Sequence, residues 1–427
     1  MTTTSTKPRT PLGLIFLTVF ITMVGFGIVI PVLPVYAKSD FKMTPAQLGY
    51  LVGVFSLIQL VSSPLLGKLS DRIGRRPVLL VSVLGTAIGF IVLGAAHSVW
   101  MLFLGRIIDG VSGGNIATAQ ACIADVTPPE GRSRAMGIIG AAFGLGFILG
   151  PALGGLLAHI STAAPFYFAG ALSIANAILI WTSLPETLSE EHRLHPSEPA
   201  PVGEVFAGGR ASFIFLLLLA SLISTTGFAF IHVLFALFCQ DHFGWNLRTT
   251  SYAFAYVGFI AVLVQGGLLR RLLKKNIEKE LAITGGVLLA LSLWLLPRVP
   301  SESAGVPQFL AVSGLLALGN GLLVPTLSGM SSRHVHGRAQ GRVLGLMASA
   351  GSLGRFLGPI LAVIPLPALF SEMPRPLPPD QFALVNNGYV TAFSWSAWLV
   401  VIATVCLLLL RVPKDVPEEG AVLAEPA

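Results

Sequence analysis

The sequence predicts an all-α polytopic membrane protein with twelve transmembrane helices in two six-helix bundles. Three observations lead to this fold class. Hydrophobic residues make up 54% of the 427 residues and charged residues only 11%, whereas a soluble protein usually carries about 25% charged residues. Apolar runs of roughly 20 residues recur along the chain. A characteristic spacing of glycine, proline and arginine residues also occurs twice.

Each apolar run is long enough for a helix to cross the hydrocarbon core of a membrane. The runs lie near residues 12–37, 46–66, 77–97, 99–124, 135–158, 165–184, 211–239, 250–269, 281–297, 308–330, 342–364 and 389–410. We therefore expect an N-terminal bundle over 1–184 and a C-terminal bundle over 211–412, joined by a polar cytoplasmic linker over 185–210. Residues 413–427 are predicted to form a disordered tail. The proline-rich segment 365–388 is predicted to be an extended cap or a short irregular lid, without an assigned function.

The repeated spacing indicates that the chain arose by duplication of one bundle. The first copy contains Gly137, Gly146, Gly150 and Pro151, followed by Gly154 and Gly155. The second copy, 208 positions later, contains Gly345, Gly354, Gly358 and Pro359 and then diverges. Glycines at every fourth position form one ridge of a helix, where the missing side chains let a neighbouring backbone approach closely and slide. Parallel repeats of this kind are typical of secondary transporters.

The distribution of basic residues predicts the orientation in the membrane. Of the 27 Lys and Arg residues, 20 lie on the side of the termini and five on the opposite side, while Arg106 and Arg355 lie inside spans. Because cytoplasmic loops carry the excess of basic residues, both termini and the linker are expected in the cytoplasm and the chain in the inner (plasma) membrane. This distribution accounts for the net charge of +7 without nucleic acid as a partner. The expected partners are the lipid bilayer, a small-molecule substrate and protons, and the chain is expected to function as a monomer.

The loop between spans two and three carries a specific motif. It runs Gly67-Lys68-Leu69-Ser70-Asp71-Arg72-Ile73-Gly74-Arg75-Arg76-Pro77 and resembles the G-x-L-x-D-R-x-G-R-R loop of the major facilitator superfamily almost residue for residue. A loop that is merely basic would explain the arginines but not an aspartate between two glycines. The resemblance implies the major facilitator fold, and it implies an inner gate in which the counterpart of Asp125 pairs with the arginine that matches Arg75. The gating residues implied are Gly67, Asp71, Arg72, Gly74, Arg75, Arg76 and Asp125.

The fourth span contains Asp109, the only acidic residue well inside an apolar run, one helical turn after Arg106. Its sequence from Gly105 to Gly110 resembles the R-x-x-x-G signature of the same family. A continuous helix would point Asn115 away and would group on one face Arg106, Asp109, Gly113, Ala117 and Gln120. Since ionisable residues inside a membrane usually serve a function, Asp109 and Arg106 are the predicted proton-coupling pair. The alternative is a structural pair whose charges simply neutralise each other.

The glycine pattern of span five resembles the antiporter signature of the family, which accompanies exporters. Across residues 12–186 the chain resembles the tetracycline/proton antiporters and related drug-efflux permeases. The matching segments are Pro31-Val32-Leu33-Pro34, Trp100 to Arg106, Ile123-Ala124-Asp125-Val126 and Leu184-Pro185-Glu186. Tetracycline exporters have acidic residues in spans one and three, where this chain has Thr22 and Gly89. These departures put tetracycline in doubt as the substrate and move the proton to Asp109.

Several residues within the spans are candidates for lining a substrate cavity. The predicted substrate-binding residues are Gln59, Ser63, Gln120, Thr225, Phe228, His232, Asn320 and Arg355. Each polar one alone is more often an interhelical hydrogen-bonding group than a ligand contact. Arg355 is harder to explain structurally, because it stands where the first copy has Phe147 and no acid in its own span can neutralise it. His232 is a second candidate for proton transfer.

Together these features predict a secondary active transporter that exports an amphipathic drug-like or metabolite substrate in exchange for protons by alternating access. One alternative is a proton-coupled uptake symporter of a small organic solute, which the complete antiporter signature disfavours. A non-transporting membrane receptor or an enzyme on the same scaffold is less favoured still. The sequence has no G-x-x-x-x-G-K-[ST] nucleotide-binding loop, and its cysteines, Cys122, Cys239 and Cys406, follow no metal-binding spacing. No cofactor, metal site or enzymatic activity is predicted.

Overall fold

A computed structural model describes residues 12–127, 129–188, 206, 211–272, 277–333, 338–367, 370, 373 and 377–411. Within these ranges the side chains of residues 129–141, 270, 332–333, 338–341 and 380 are not described. The described residues form α-helices, two short 3₁₀ turns and one π segment, with no β-strand among them. The predicted tail and most of the predicted linker lie outside the described residues.

The N-terminal bundle consists of seven helices that make up six spans. They are α1 (Leu12–Phe41), α2 (Pro45–Ile73), α3 (Arg75–Gly94), α4 (Val99–Val111), α5 (Asn115–Val126), α6 (Pro129–Leu157) and α7 (Ala164–Ser183). The start of α2 is fixed by a capping box, in which Thr44 and Gln47 each accept a hydrogen bond from the backbone N–H of the other. Pro45 takes the first helical position, where a backbone N–H is not needed.

The C-terminal bundle repeats this arrangement with eight helices. They are α8 (Ala211–Phe228), α9 (Ile231–Phe243), α10 (Leu247–Leu263), α11 (Leu269–Leu272), α12 (Glu278–Leu295), α13 (Val306–Arg333), α14 (Arg338–Val363) and α15 (Pro379–Leu409). Span seven is α8 with α9, and span eight is α10 and α11 joined by the π segment Val264–Leu268. Helix α9 ends at Gly244, whose φ of 67° is a left-handed conformation that favours glycine.

The predicted all-α fold of twelve transmembrane helices is confirmed. Ten helical stretches of the described chain are long and apolar enough to cross a membrane. The two remaining spans are span four, which consists of helices of 13 and 12 residues, and α6, whose described apolar part is Ala142–Leu157.

Two details of the sequence prediction are wrong. Span four is not a continuous helix, because residues 112–114 form a turn between α4 and α5, where two consecutive glycines lower the helix propensity. Residues 379–388, expected in an irregular lid, instead form the beginning of α15. Proline at the first position of a helix is compatible with helical geometry, so Pro379 starts α15 rather than preventing it.

The first glycine ridge brings α6 into backbone contact with α1. A Cβ atom added to Gly146 would lie 2.4 Å from the Cβ of Met23, and one added to Gly150 would lie 2.7 Å from the Cα of Gly27. On α1, a Cβ added to Gly27 would in turn lie 3.1 Å from the Cδ of Pro151. The predicted close approach is therefore confirmed, and the neighbouring helix belongs to the same bundle.

The second glycine ridge makes the same contact in the other bundle. A Cβ atom added to Gly354 would lie 2.9 Å from the carbonyl oxygen of Leu222, and one added to Gly358 would lie 2.5 Å from that of Thr226. Helix α14 therefore packs on α8 as α6 packs on α1, which is the spatial counterpart of the sequence duplication.

The other predicted packing glycines of span five differ in their neighbours. Gly154 continues the contact with α1, since its added Cβ would lie 3.2 Å from the carbonyl oxygen of Ile28. Gly155 faces the other bundle, and its added Cβ would lie 2.4 Å from the Cβ of Ser251 in α10. Gly137 lies in the part of α6 whose side-chain surroundings are outside the described residues.

The tight contacts between the bundles lie toward one side of the molecule. We call the side where α1 begins the N-terminal side and the side where α1 ends at Phe41 the far side. In the far half, a Cβ added to Gly49 of α2 would lie 2.8 Å from the carbonyl oxygen of Pro359 in α14. Glycines in the N-terminal half have open space around an added Cβ, namely Gly67, Gly266, Gly267 and Gly345. The contact between α2 and α14 closes the far half of the molecule.

The helix contact at Gly150 predicts a specific instability. Gly150→Ala places a methyl group against the backbone of α1 and should destabilise the protein by about 1–3 kcal/mol, as overpacking usually does. The matched variant Gly345→Ala occupies open space on the equivalent helix of the second copy and should not destabilise the protein, because alanine is favoured over glycine in a helix interior by up to about 1 kcal/mol. Thermal unfolding of the two purified proteins in one detergent compares them. Equal unfolding temperatures would contradict this account of the glycine ridge.

Candidate functional site

A cavity lies between the two bundles and encloses about 390 Å³, including the space through which it opens. One wall is the apolar face of α1, formed by Phe26, Val29, Ile30, Leu33 and Pro34. The other lining residues are Val52, Phe55 and Ser56 of α2, Arg106 of α4, His232 of α9 and Arg355 of α14.

Arg106 is buried at the edge of this cavity and paired with Asp109. Its Nη1 donates a hydrogen bond to Asp109 Oδ2 at 3.3 Å, and the two side chains are only 4% and 6% exposed. Its Nη2 lies 3.5 Å from the carbonyl oxygen of Val52, and its Cζ lies 4.5 Å from the centroid of the Phe55 ring. The predicted pairing one turn apart is therefore present. Arg106 reaches the cavity, while Asp109 lies behind it.

Close packing of α3 on α4 encloses Asp109 on its other side. A Cβ atom added to Gly89 would lie 3.0 Å from the Cβ of Asp109 and 2.9 Å from the carbonyl oxygen of Gly105. No side chain fits at position 89 unless the two helices move apart. The structure thus gives a physical reason why an acidic residue at this point of span three is incompatible with the present packing.

The break in span four is stabilised by side chains of α2. Gln59 Nε2 donates to the carbonyl oxygen of Gly113 at 3.0 Å, and the Ser62 hydroxyl donates to that of Gly110 at 2.7 Å. Inside a membrane, a carbonyl freed by a helix break must find such a partner. Gln59, a predicted substrate contact, is therefore placed in an interhelical hydrogen bond rather than on the cavity wall.

The break also redirects the residues that follow it. Asn115, expected to point away from the functional face, is buried, whereas Ala117 and Gln120 are exposed. The predicted face that joined Gln120 to Asp109 does not form, because the turn changes the rotation between α4 and α5.

The remaining predicted substrate contacts occupy different environments. His232 and Arg355 line the cavity, and the Phe228 ring packs edge-on against His232 with centroids 6.0 Å apart. Thr225 packs against α14, 3.0 Å from a Cβ added to Gly354. Ser63 is half-buried, and the Oδ1 of Asn320 is buried without a hydrogen-bond partner; neither residue is among those that line the cavity.

Sequence reasoning missed the aromatic wall of the cavity. Phe26 lies between Phe55 and Phe147, with ring centroids 5.9 Å and 6.0 Å away. Their spacing along the spans is indistinguishable from that of ordinary packing residues. Only the arrangement of α1 and α2 in space brings Phe26 and Phe55 together on the cavity wall, while Phe147 of α6 packs against Phe26 and is not among the residues that line the cavity.

The loop motif forms an ion-pair network at the N-terminal side. Arg75 Nη1 lies 2.6 Å from Asp71 Oδ1, and its Nε lies 3.0 Å from Asp125 Oδ2 at the end of α5. Arg75 also donates to the Ser70 hydroxyl at 2.7 Å. The predicted pairing of Arg75 with Asp125 is therefore present, and these contacts stay within the N-terminal bundle. Gly74 allows the turn between α2 and α3, with φ of 110°.

Glu186 is a member of this network that the sequence did not single out as functional. Its carboxylate accepts hydrogen bonds from the backbone N–H groups of Arg75 at 2.9 Å and Arg76 at 3.2 Å. It thus caps the first turn of α3, where a negative charge is favourable. The Arg76 guanidinium donates to the carbonyl oxygen of Trp181 in α7. These hydrogen bonds attach the segment after α7 to the loop motif. The other two basic residues of the motif, Lys68 and Arg72, are exposed.

A second buried ion pair joins the bundles at the far side. Lys38 Nζ, at the end of α1, lies 3.2 Å from Asp241 Oδ2 in α9, and their side chains are 6% and 2% exposed. The same ammonium lies 3.2 Å from the centroid of the Phe370 ring, and the Tyr389 hydroxyl donates to Asp241 Oδ2 at 2.7 Å. We call these four residues the far-side lock. The sequence prediction placed Lys38 and Asp241 just outside spans one and seven, where charges are common.

The described site is suited to binding a small amphipathic molecule and to exchanging a proton, with an apolar wall facing ionisable groups. Among the described residues, no group of three or more His, Cys, Asp or Glu side chains is arranged to hold a metal ion.

Comparison with known proteins places the chain among membrane transporters. The family model described as Major Facilitator Superfamily matches residues 15–359. The chain is 32% identical over 409 residues to the class E tetracycline resistance protein of Escherichia coli, and the match covers 92% of each. It is 30% identical over 353 residues to Multidrug resistance protein 2 of Bacillus subtilis, covering 81% of this chain and 86% of that protein.

A solved structure shares the same fold. The crystal structure of a bacterial homolog of the human lysosomal transporter Spinster, in an inward-facing and unoccupied conformation, superposes with a TM-score of 0.75. The match covers 93% of this chain and 96% of that one, with 17% sequence identity.

The far-side lock predicts how the conformational equilibrium responds to mutation. Lys38→Met removes the buried ion pair between α1 and α9, one of the contacts that hold the two bundles together at the far side, so the variant should favour a far-side-open conformation. Spin labels at Ala46 and Ser301, both exposed on the far side, should then move apart. Lys42→Met, which changes an exposed lysine nearby, should leave the distance unchanged. Identical distance distributions for Lys38→Met and wild type would contradict the role of the lock.

Proposed function

Because the chain belongs to the Major Facilitator Superfamily, we propose that it exports an amphipathic drug-like or metabolite substrate in exchange for protons by alternating access. Its tetracycline-resistance and multidrug-resistance relatives support export. The observation that carries the proposal is the buried Arg106–Asp109 pair beside the cavity between the bundles.

The pair provides a simple basis for proton coupling. A carboxylate buried among helices needs either a cation or a proton to remove its charge. While Arg106 lies next to Asp109, the ion pair meets this need. A movement of α4 or α2 that draws Arg106 away, for example toward a bound substrate, leaves Asp109 to take up a proton. The return of Arg106 after the cavity opens to the other side releases it.

Alternating access requires the far-side contacts to break while the N-terminal side closes. We assign the lock to the first of these events. We assign the N-terminal loop motif, with Asp71, Arg75 and Asp125 as its ion pairs, to the second. The motif lies away from the cavity, so it acts on the equilibrium between the two conformations rather than on substrate affinity. The transporter functions as a monomer without a cofactor and catalyses no chemical reaction.

The substrate differs from tetracycline in this proposal. The resemblance to tetracycline exporters implies acidic residues at the positions of Thr22 and Gly89. Thr22 instead donates a hydrogen bond to the carbonyl oxygen of Thr18, and Gly89 is packed against α4. We therefore propose that a different amphipathic compound occupies the cavity.

The orientation follows from the basic residues, which concentrate on the N-terminal side. We propose that this side, including both termini and the linker 185–210, faces the cytoplasm and that the protein resides in the inner membrane. The far-side lock then closes the outer side.

Cysteine labelling in intact cells tests this orientation. His195→Cys in the linker should resist a membrane-impermeant maleimide, whereas Ala46→Cys on the far side should react. Cys122, Cys239 and Cys406 are buried, which limits background labelling. Reaction of His195→Cys in sealed cells would reverse the proposed topology.

Proton coupling is tested by Asp109→Asn. This change keeps the shape of the side chain but removes the group that alternates between Arg106 and a proton. Proton-driven accumulation of a transported compound in proteoliposomes with an imposed pH gradient should fall to the level of empty liposomes. Downhill exchange of the same compound should persist.

Asp40→Asn is the matched control, because Asp40 is an exposed acid of the same bundle that hydrogen-bonds to Thr162. It should retain proton-driven accumulation. Substrate-induced proton flux in Asp109→Asn equal to that of wild type would assign the Arg106–Asp109 pair a structural role and leave His232 as the next candidate.

A further inference from the structure

Arg355 is a second cation on the cavity wall, and the groups that contact its guanidinium are uncharged. Its Nη2 donates to the Ser352 hydroxyl at 2.9 Å, and its Nη1 lies 3.3 Å from a Cβ added to Gly351. Both neighbours belong to its own helix, one turn earlier. Within the described part of the chain, the four ion pairs involve Lys38, Arg75 and Arg106 but not Arg355. Arg355 therefore has no carboxylate partner among the described residues.

The duplicated architecture does not require an arginine at this position. The equivalent residue in the first copy is Phe147, which packs against Phe26. An apolar side chain is thus compatible with the packing at the equivalent position of the first bundle. A guanidinium there carries the cost of a charge within the membrane-spanning region, so its presence needs a different explanation.

The charges that line the cavity are unbalanced. Among the described residues, the cavity is lined by two guanidinium groups, Arg106 and Arg355, and by the imidazole of His232, with no acidic side chain. Asp109 neutralises Arg106 from behind. One positive charge therefore remains to be balanced, and a cationic ligand would increase the imbalance.

Apart from Ser56, the other residues that line the cavity are apolar. Phe26 and Phe55 present aromatic rings, Phe55 packs against Arg106, and Val29, Ile30 and Leu33 continue the apolar surface along α1. A ligand that matches this lining has an apolar body and one negatively charged end. Guanidinium groups bind carboxylates and sulfonates through paired hydrogen bonds.

We propose that the transported substrate is an amphipathic organic anion whose carboxylate or sulfonate group binds Arg355, with its aromatic body on the Phe26–Phe55 wall. His232 lines the same cavity and supplies a further hydrogen-bond donor from its ring N–H. The substrate supplies the counter-charge that Arg355 lacks in the empty cavity. This assignment rests on the proposed transport function, since it names the substrate class of that site.

Equilibrium binding to the purified full-length protein tests the proposal without any transport step. Three probes share one aromatic body and differ in charge: 2-naphthoate, neutral 2-naphthamide and cationic 2-naphthylmethylammonium. Isothermal titration calorimetry in a neutral detergent should show that wild type binds naphthoate about 10- to 100-fold more tightly than the amide, as expected for hydrogen bonds to a charged group. The cation should bind most weakly.

Variants of Arg355 assign the preference to this side chain. Arg355→Gln should bind naphthoate and naphthamide equally, and Arg355→Lys should keep part of the preference because it retains the charge but not the planar pair of donors. Arg298→Gln is the matched control, because Arg298 lies at the far side and does not line the cavity. It should behave like wild type. If Arg355→Gln does not fold, the comparison of the three probes on wild type and Arg355→Lys still decides the question.

The proposal is overturned if wild type binds naphthoate no more tightly than the amide, including the case in which no probe binds, or if Arg355→Gln keeps the full preference. A failure of proton coupling gives a different result. In that case the Arg355-dependent preference for the anion remains, while the proton-flux assay of Asp109→Asn shows no effect.

Discussion

Arg106 is held inside the membrane-spanning region by contacts with the neighbouring helix α2 and with its own helix α4. Asp109 balances its charge, the Val52 carbonyl lies near one of its donors, and the Phe55 ring packs against its face. Because a charge in hydrocarbon is costly without such partners, the surrounding helices must stay close to α4. The absence of a side chain at Gly89 permits that approach. Movement of any of these helices therefore changes what Arg106 and Asp109 contact.

The same requirement for partners explains the irregular part of span four. The turn between α4 and α5 releases carbonyl groups, and α2 supplies Gln59 and Ser62 to bind them. Helix α2 thus contacts Arg106 through Val52 and Phe55 and the turn through Gln59 and Ser62. It also packs against α14 of the other bundle at Gly49 and Gly53. A rearrangement of the two bundles is transmitted through α2 to the buried ion pair, which links conformational change to proton exchange in the proposed mechanism.

Much of the fold could be predicted from the sequence because its signals are local and repeated. The length of the apolar runs predicted the spans, and the spacing of the glycines predicted a close helix approach in each bundle, whereas the partner helices α1 and α8 are seen only in the structure. The Arg75–Asp125 pair came from a specific motif. The break in span four was not predictable from periodicity, since a helical pattern on both sides of Gly113 and Gly114 does not show the turn between them. The change in rotation placed Gln120 away from Asp109.

Contacts between segments that are far apart in the chain could not be predicted from the sequence either. Lys38 and Asp241 are 203 positions apart, and each lies at the end of an apolar run where a charge is unremarkable. The aromatic wall of Phe26 and Phe55 arises only when α1 and α2 meet. Arg355 is the exception, because comparison of the two copies already showed an arginine where the first copy has Phe147. The structure adds that this arginine lines the cavity between the bundles.

The central claim is that Asp109 alternates between Arg106 and a proton. Infrared difference spectroscopy of the protein in lipid, recorded between neutral and acidic buffer, detects the C=O stretch of protonated carboxyl groups directly. The account predicts a protonated-carboxyl band that is present in wild type and absent from Asp109→Asn. A spectrum that is identical in wild type and Asp109→Asn across the pH range of transport would contradict it.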